Sequence, residues 1–196
     1  MNRRYLAATL SCAILFSASF GAIAALAPHP RFLWNASASA PIGLYRIVGA
    51  PRPRVGDLVA IRPPTAVERF LARRHYLPAG VPLIKRVAAV AGTTICRSGA
   101  LVMIDGRAVA TALARDRARR PLPQWSGCRT LRGGELFLLN AAPDSLDSRY
   151  FGPFPASGLI GTAHPLLTRG APGAPLRWHR AGDPMPSLLQ PKGSTR

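Results

Sequence analysis

The sequence predicts a mainly β domain that follows a single N-terminal transmembrane helix. An uncharged apolar run, residues 6–27, stands near the start of the 196-residue chain. Short aliphatic and β-branched runs follow, and they are separated by Gly- and Pro-rich clusters. This second part extends over about 135 residues, a usual size for one domain.

The apolar run at 6–27 is long enough to span a bilayer. Its 22 residues would form a helix about 33 Å long, which matches the thickness of the hydrocarbon core. Arg3 and Arg4 precede the run, and no charge lies within it. Positive charges on that side predict a cytoplasmic N-terminus. The remaining chain would then lie outside the inner membrane, in the periplasm.

A cleaved secretory signal is the alternative interpretation of this segment. Small residues that suit a cleavage site are present at Ala22, Ala24 and Ala27. Prolines follow directly at positions 28 and 30, and the apolar run is long for a signal peptide. These two features favour a retained anchor, residues 1–27, followed by a short linker, residues 28–33.

The folded part, residues 34–169, is predicted to be built mainly from short strands. One helix is expected at 65–74, because apolar residues recur there at helical spacing after Pro63-Pro64. Asp105-Gly106 predicts the turn of a hairpin. Residues 170–196 are rich in Pro, Gly and Arg, and most of them are expected to be disordered. The predicted strands are 43–48, 57–62, 83–91, 93–96, 101–104, 135–140 and 159–164.

Two cysteines of the exported part, Cys96 and Cys128, are compatible with a disulfide. Disulfides persist outside the cytoplasm. The third cysteine, Cys12, falls inside the apolar run, and the spacing of the three matches no metal-binding motif. We expect no metal and no organic cofactor.

The net charge of +18 raises the question of a nucleic-acid partner. The basic residues are scattered, however, and the densest cluster is the short run 115–120. No zinc-finger spacing is present. We therefore expect no nucleic acid, and an anionic membrane surface is an equally suitable partner for such charge.

Lys85 is the most informative residue of the folded part. The chain has 26 Lys and Arg residues, but only Lys85 and Lys192 are lysines. Lys85 lies in an apolar run that is predicted to be a buried strand. Arginine keeps its proton in proteins, whereas a buried lysine can lose it. The pattern indicates a neutral amine at this position, although a coding bias toward arginine and a lysine that reaches the surface are alternatives.

A serine nucleophile needs a base, and none of the four histidines is placed in a recognisable catalytic motif. The Gly-x-Ser-x-Gly elbow of many serine hydrolases is absent. A serine–lysine pair is the other known solution. Burial would favour the neutral form of Lys85, which could then accept a hydroxyl proton.

Three blocks of the sequence carry a recognisable pattern. They are Asn-x-Ser-x-Ser-x-Pro-x-Gly-Leu-Tyr at 35–45, Leu-Ile-Lys-Arg-Val at 83–87, and Ser-x-Asp-Ser-Arg-x-x-Gly-Pro at 145–153. In this order, the blocks resemble the type I signal peptidases of family S26, and most closely their conjugal-transfer (TraF-type) maturation peptidases. Each block is weakly diagnostic alone, but the three together after a membrane anchor are specific. The resemblance covers about residues 32–166.

The resemblance implies a catalytic pair. It places the nucleophile at Ser39, which is followed closely by a proline, and the general base at Lys85. The backbone N–H of Ser39 and the hydroxyl of Ser37 would hold the oxyanion. The two serines could also exchange roles, or both could be ordinary loop residues.

The third block implies supporting residues. Ser145 would bind and orient the Lys85 amine. Asp147 would pair with Arg149 or brace the lysine region. The alternative is that 145–147 is simply a polar turn.

These expectations combine into a membrane-anchored serine endopeptidase that cleaves exported precursors. The expected substrate is a pilin subunit of a conjugative or type IV secretion system, with small residues before the cut. Two departures from the general signal peptidase pattern favour this specialised branch. They are Ser39-Ala-Pro41 in place of Ser-Met-x-Pro, and Asn140-Ala-Ala in place of a Gly-Asp-Asn turn.

Two other functions compete with this interpretation. One is a non-catalytic, membrane-anchored basic protein that assembles with secretion machinery. The other is a self-cleaving peptidase of the repressor type, which the anchor and the lack of a DNA-binding helical domain disfavour.

Overall fold

The computed structural model describes residues 3–26, 31–49 and 52–180. The chain divides into two compact units, residues 1–30 and 31–196. The first contains helix α1 (Arg3–Leu26), which is long and apolar enough to cross a membrane. Its side chains are largely apolar on every side, as a helix surrounded by lipid requires.

The second unit is mainly β, which confirms the predicted fold class. Two short helices accompany its strands, α2 (Thr65–Arg73) and α3 (Ser148–Phe151). The strands are β1 (Phe32–Asn35), β2 (Ile42–Val48), β3 (Leu58–Ile61), β4 (Leu83–Ala89), β5 (Thr94–Ser98), β6 (Leu101–Ile104), β7 (Arg107–Thr111), β8 (Gly127–Thr130), β9 (Glu135–Leu139), β10 (Phe154–Pro155), β11 (Leu159–Arg169) and β12 (Arg177–Trp178).

The strands form two antiparallel sheets. The large sheet has the order β1-β2-β11-β3-β4-β9-β10, with β12 added beside β11. The small sheet has the order β7-β6-β5-β8. Strand β4 lies between β3 and β9 inside the large sheet, so its backbone is paired on both sides. This central strand carries Lys85.

The core consists of apolar residues at alternate positions of the central strands. On one face of the large sheet, Val59, Val87 and Leu138 pack with Leu71 of α2. On the other face, Tyr45 packs with Ala60 and Ala163. Burial of this apolar area is the main favourable contribution to the folding free energy.

Gly43 is required where β2 meets β11. Its φ is +147°, and a Cβ at this position would lie 2.0 Å from the carbonyl oxygen of Leu167. The pairing of the two strands shifts register between Pro165 and Leu167, which brings the backbones close together at Gly43. Only a residue without a side chain fits there.

The small sheet contains the predicted hairpin and also the disulfide with which the sequence was compatible. Asp105 and Gly106 have positive φ and join β6 to β7. Such angles suit the turn that matches the twist of paired strands. Cys96 and Cys128 are register partners in β5 and β8, and they form a disulfide.

Three predicted boundaries need correction. Phe32 and Leu33, assigned to the linker 28–33, belong to β1. Residues 177–178, assigned to the disordered tail, pair with β11, and His179 donates its backbone N–H to Leu166 O at 2.8 Å. Strand β11 continues to Arg169, beyond the predicted end at 164. The rest of the linker, residues 28–30, and the tail from 181 lie outside the described residues.

Candidate active site

Lys85 is buried in the middle of β4. Successive side chains of a strand point to opposite faces, so Lys85 shares a face with Leu83 and Val87. Those two residues belong to the apolar core, and only 3% of Lys85 is exposed. The strand thus brings the Lys85 amine into an apolar layer, as the sequence indicated.

Asn140, directly after β9, fixes the backbone of β4 on both sides of Lys85. Its Oδ1 accepts from the N–H of Arg86 at 3.0 Å. Its Nδ2 donates to the carbonyl of Ile84 at 3.0 Å. The Asn140 side chain is buried, so these bonds are protected from water. They fix the backbone position of Lys85, from which its side chain extends.

Asn35, the last residue of β1, organises the loop that carries Ser37 and Ser39. Its Nδ2 donates to the carbonyls of Ser37, Ala40 and Pro41 at 2.9, 3.1 and 3.0 Å. Its Oδ1 accepts from the backbone N–H and the hydroxyl of Ser37, both at 3.1 Å. One buried amide therefore holds both ends of the tight loop.

Three side chains from separate parts of the sequence meet at Lys85. Its Nζ donates to Ser145 Oγ at 2.7 Å and to Ser39 Oγ at 3.4 Å. Ser37 Oγ lies 3.0 Å from Ser39 Oγ, and either can be the donor. The structure thus brings together Ser37, Ser39, Lys85 and Ser145.

Burial lowers the pKa of Lys85 to about 8. Removal from water disfavours the ammonium form, and this effect exceeds all the others. The carboxylate of Asp147 acts in the opposite direction and raises the pKa, whereas Arg149 lowers it. A substantial neutral fraction of the amine therefore exists near pH 8.

Asp147 and Arg149 form a buried pair behind the lysine. Arg149 Nε donates to Asp147 Oδ1 at 2.8 Å, and the backbone N–H of Arg149 donates to the same oxygen at 3.1 Å. Asp147 Oδ2 accepts from the N–H of Asn140 at 3.1 Å. Arg149 also donates to the carbonyl of Asn140. The pair thereby ties α3 to the residue that clamps β4.

A match to a family model settles the relationship of this chain. The model for signal peptidase, peptidase S26, matches residues 3–167. The chain belongs to this family.

Conjugal transfer proteins are among the relatives of this chain. The "probable conjugal transfer protein TraF" of Sinorhizobium fredii (strain NBRC 101917 / NGR234) is 43% identical over 169 residues, which are 81% of this chain and 88% of the relative. The "conjugal transfer protein TraF" of Agrobacterium fabrum (strain C58) is 39% identical over 144 residues, 68% and 81% of the two chains. A signal peptidase I structure from Enterococcus faecalis V583 aligns with 58% of this chain and 98% of its own at 19% identity, with a TM-score of 0.35. The family model and the two TraF relatives show that the chain is a TraF-type member of the S26 family.

An open cleft of about 490 Å³ leads to the four residues in this S26 domain. Ser39, Lys85 and Ser145 line one part of it. Its remaining lining is mostly apolar, with polar groups contributed by the segment 116–120. No three His, Cys, Asp or Glu side chains of the described residues are grouped so that they could hold a metal ion.

Sequence reasoning missed the roles of Asn35 and Asn140. Asn35 opens the first matching block, so its position carried a signal, but its five hydrogen bonds depend on the loop geometry. Asn140 was noted as a departure from a family pattern, and its contact with β4 spans 54 residues of sequence. Polar residues adjoining buried strands are the signal that can reveal such positions.

The small sheet also reaches α3, which the sequence did not indicate. Arg97 in β5 is buried and donates to the carbonyl of Arg149 at 2.7 Å. Trp125 Nε1 donates to the carbonyl of Ser148 at 3.0 Å. These donors satisfy carbonyl groups of a one-turn helix that has few internal partners.

Proposed function

We propose that this chain is a membrane-anchored serine endopeptidase in which Ser39 is the nucleophile and Lys85 the general base. The observation that carries the proposal is the position of Lys85 Nζ. It is buried, has a pKa lowered to about 8, and lies within 3.4 Å of Ser39 Oγ. A neutral amine at this distance can accept a proton from a serine hydroxyl.

The reaction starts with the neutral form of Lys85. The amine takes the Ser39 proton while Ser39 Oγ attacks the scissile carbonyl carbon. The tetrahedral intermediate collapses as the lysine returns the proton to the leaving amine, which leaves an acyl group on Ser39. Water, activated by the same amine, then hydrolyses the ester and regenerates the hydroxyl.

Ser37 and the backbone N–H of Ser39 supply the oxyanion site in this proposal. Ser37 Oγ is only 3.0 Å from Ser39 Oγ, so it is next to any carbonyl that Ser39 attacks. Asn35 holds the Ser37 Oγ in position, and only the hydroxyl hydrogen rotates from Asn35 Oδ1 toward the oxyanion as negative charge develops. Donors that are held in place before the reaction stabilise the transition state most effectively.

Ser145 is the positioning residue for the base. Its Oγ accepts from Lys85 Nζ at 2.7 Å, a shorter contact than that with Ser39. The Asp147–Arg149 pair holds the backbone of this loop through Asn140. Positioning of this kind limits the motion of the amine and keeps it within reach of Ser39.

The proposed substrate is an exported precursor, a pilin subunit of a conjugative or type IV secretion system, with small residues before the cut. The names of the TraF relatives support the link to conjugal transfer. We place α1 in the inner membrane with its N-terminus in the cytoplasm and the catalytic domain in the periplasm. Arg3 and Arg4, at the N-terminal end of α1, support that orientation.

The test is maturation of the pilin precursor in cells, measured by mass. Wild-type enzyme is compared with Ser39→Ala and Lys85→Arg, and Ser126→Ala serves as the control on an exposed serine. Lys85→Arg retains the positive charge but removes a base that can become neutral. Loss of processing in both variants at normal protein levels supports the proposal. Full processing by both would favour the non-catalytic assembly protein instead.

A further inference from the structure

Two oppositely charged residues from separate segments, Arg117 and Asp144, form an ion pair in the cleft. Arg117 NH2 donates to Asp144 Oδ2 at 2.7 Å. Both residues line the cleft that also contains Ser39 and Lys85. Asp144 directly precedes Ser145, which binds the lysine amine. A peptide that reaches Ser39 through this cleft therefore passes close to the ion pair.

Arg117 lines the cleft, and its ion-pair partner is easily exchanged. The Arg117 side chain is 91% exposed and that of Asp144 is 41% exposed. An ion pair in such surroundings contributes little to stability. The neighbouring Arg120 is bound differently, because its Nε and backbone N–H both donate to Asp116, which also accepts from Tyr76.

The wall around Arg117 is strongly basic. The run 115–120 contains four arginines and one aspartate, and that aspartate is already engaged. The guanidinium presents paired donors that match the two oxygens of a carboxylate. In the free protein Asp144 occupies this position. A carboxylate of a bound peptide can replace the Asp144 carboxylate at a small cost in free energy. It then pairs with Arg117 at the edge of the site.

We propose that Arg117 is a specificity-determining residue that binds a carboxylate of the substrate within a few residues of the scissile bond. This inference rests on the proposed endopeptidase function and adds an acidic group to the small residues expected before the cut. The carboxylate is supplied either by an Asp or Glu side chain or by the C-terminus of the substrate.

The test uses the full chain in detergent micelles and peptides that contain the cleavage sequence. The peptides form matched sets, with Glu or Gln at each position around the cut and with a free or amidated C-terminus. Binding is measured with Ser39→Ala protein, so that it does not depend on cleavage. Cleavage is measured with otherwise wild-type protein. Both are compared with Arg117→Gln and with the control Arg119→Gln, which removes the same charge from a residue that does not line the cleft.

We expect the carboxylate-bearing peptide to bind about tenfold more tightly than its neutral counterpart. Arg117→Gln should abolish this difference, and Arg119→Gln should retain it. Asp144→Asn, which removes the internal competitor, should tighten binding of the carboxylate peptide several-fold. The position or terminus at which the difference appears identifies the source of the carboxylate.

Equal binding of charged and neutral peptides at every position and terminus would overturn the inference, as would a difference that Arg117→Gln leaves intact. Either result can occur while wild-type protein cleaves and Ser39→Ala does not, which would leave the proposed function standing. Conversely, a carboxylate preference without any Ser39-dependent cleavage would support the subsite and contradict the peptidase.

Discussion

Ser37 Oγ and Ser39 Oγ lie 3.0 Å apart, and Lys85 Nζ donates to Ser39, at 3.4 Å. The two hydroxyls are therefore neighbours with different partners, since Ser37 is held by Asn35. In the proposed mechanism, this difference distinguishes the nucleophile from the supporting donor, two roles that the sequence left exchangeable.

Substitution of each serine should distinguish these roles. We expect Ser39→Ala to lower kcat by at least about 10³-fold, because no attacking oxygen remains. Ser37→Ala should lower kcat by about 10²-fold with little change in KM, as loss of one oxyanion donor does. The measurement is steady-state cleavage of a precursor peptide. An active Ser39→Ala with an inactive Ser37→Ala would reverse the assignment.

The pH dependence of the reaction should report the titration of Lys85. The base must be neutral to accept a proton, and its pKa is lowered to about 8. We therefore expect kcat/KM to rise with pH and to level off above about pH 8. Lys85→Arg should remain inactive throughout the range. A profile that is flat from pH 6 to 10 would contradict a lysine base.

The buried lysine should destabilise the fold below its pKa. Its folded-state pKa of about 8 lies below the ordinary value of 10.5. Between these values the unfolded state binds more protons, so the contribution of Lys85 to stability improves as pH rises. Below pH 8 the full cost remains, about 3 kcal/mol at 1.36 kcal/mol per pKa unit.

Lys85→Met should consequently raise the free energy of unfolding at pH 7, by up to about 3 kcal/mol less the lost bond to Ser145. The advantage over wild type should shrink as the pH approaches 10.5. Denaturant unfolding at several pH values measures both effects. If the variant is less stable than wild type at pH 7, burial of the Lys85 amine costs less free energy than its lowered pKa indicates.

Removing one partner of the Asp147–Arg149 pair should be costly. Asp147→Asn leaves the Arg149 guanidinium buried without its counter-charge, for which we expect a loss of about 3–5 kcal/mol. It also withdraws a carboxylate that raises the pKa of Lys85. For the molecules of this variant that still fold, the pH profile of kcat/KM should move to lower pH. Asp57→Asn, on a half-buried residue outside the site, is the control.

Gly43→Ala should disturb the β2–β11 pairing. The added Cβ would lie 2.0 Å from Leu167 O, at a φ of +147°. We expect a loss of more than about 2 kcal/mol, since the neighbour is backbone and must move. Gly170→Ala meets nothing within 4 Å and should change stability little. Thermal unfolding of the two variants provides the comparison, and equal midpoints would refute the close approach.

The sequence predicted the parts of the fold that have strong local patterns. The strands around Tyr45, Val59 and Lys85 have apolar runs, and Asp105-Gly106 has the composition of its turn. Strand β8 escaped prediction because all four of its residues are exposed and show no alternation. Strands β10 and β12 have two residues each, too few for any periodicity.

The candidate site likewise contains residues that the sequence predicted and residues that it did not. Ser39, Lys85, Ser145 and the Asp147–Arg149 pair were expected from motifs. The structure places the Lys85 amine within hydrogen-bond distance of both serines and pairs Asp147 with Arg149, and the catalytic roles stay a prediction. The bonds of Asn140 to the backbone on either side of Lys85 arise from strand register. Register depends on the whole sheet rather than on neighbouring residues, so a single sequence does not reveal such contacts.

The bonds from Arg97 and Trp125 to α3 affect how this protein can be shortened. The small sheet and its flanks occupy residues that look like an insertion between β4 and β9. Their removal would take the Arg97 donor from the Arg149 carbonyl and the Trp125 donor from the Ser148 carbonyl, which keeps its bond from the Gly152 N–H. The small sheet and its flanks thus hold α3 in place. A protein shortened by removing these residues would lose contacts that hold Arg149, the partner of Asp147, beside the candidate site.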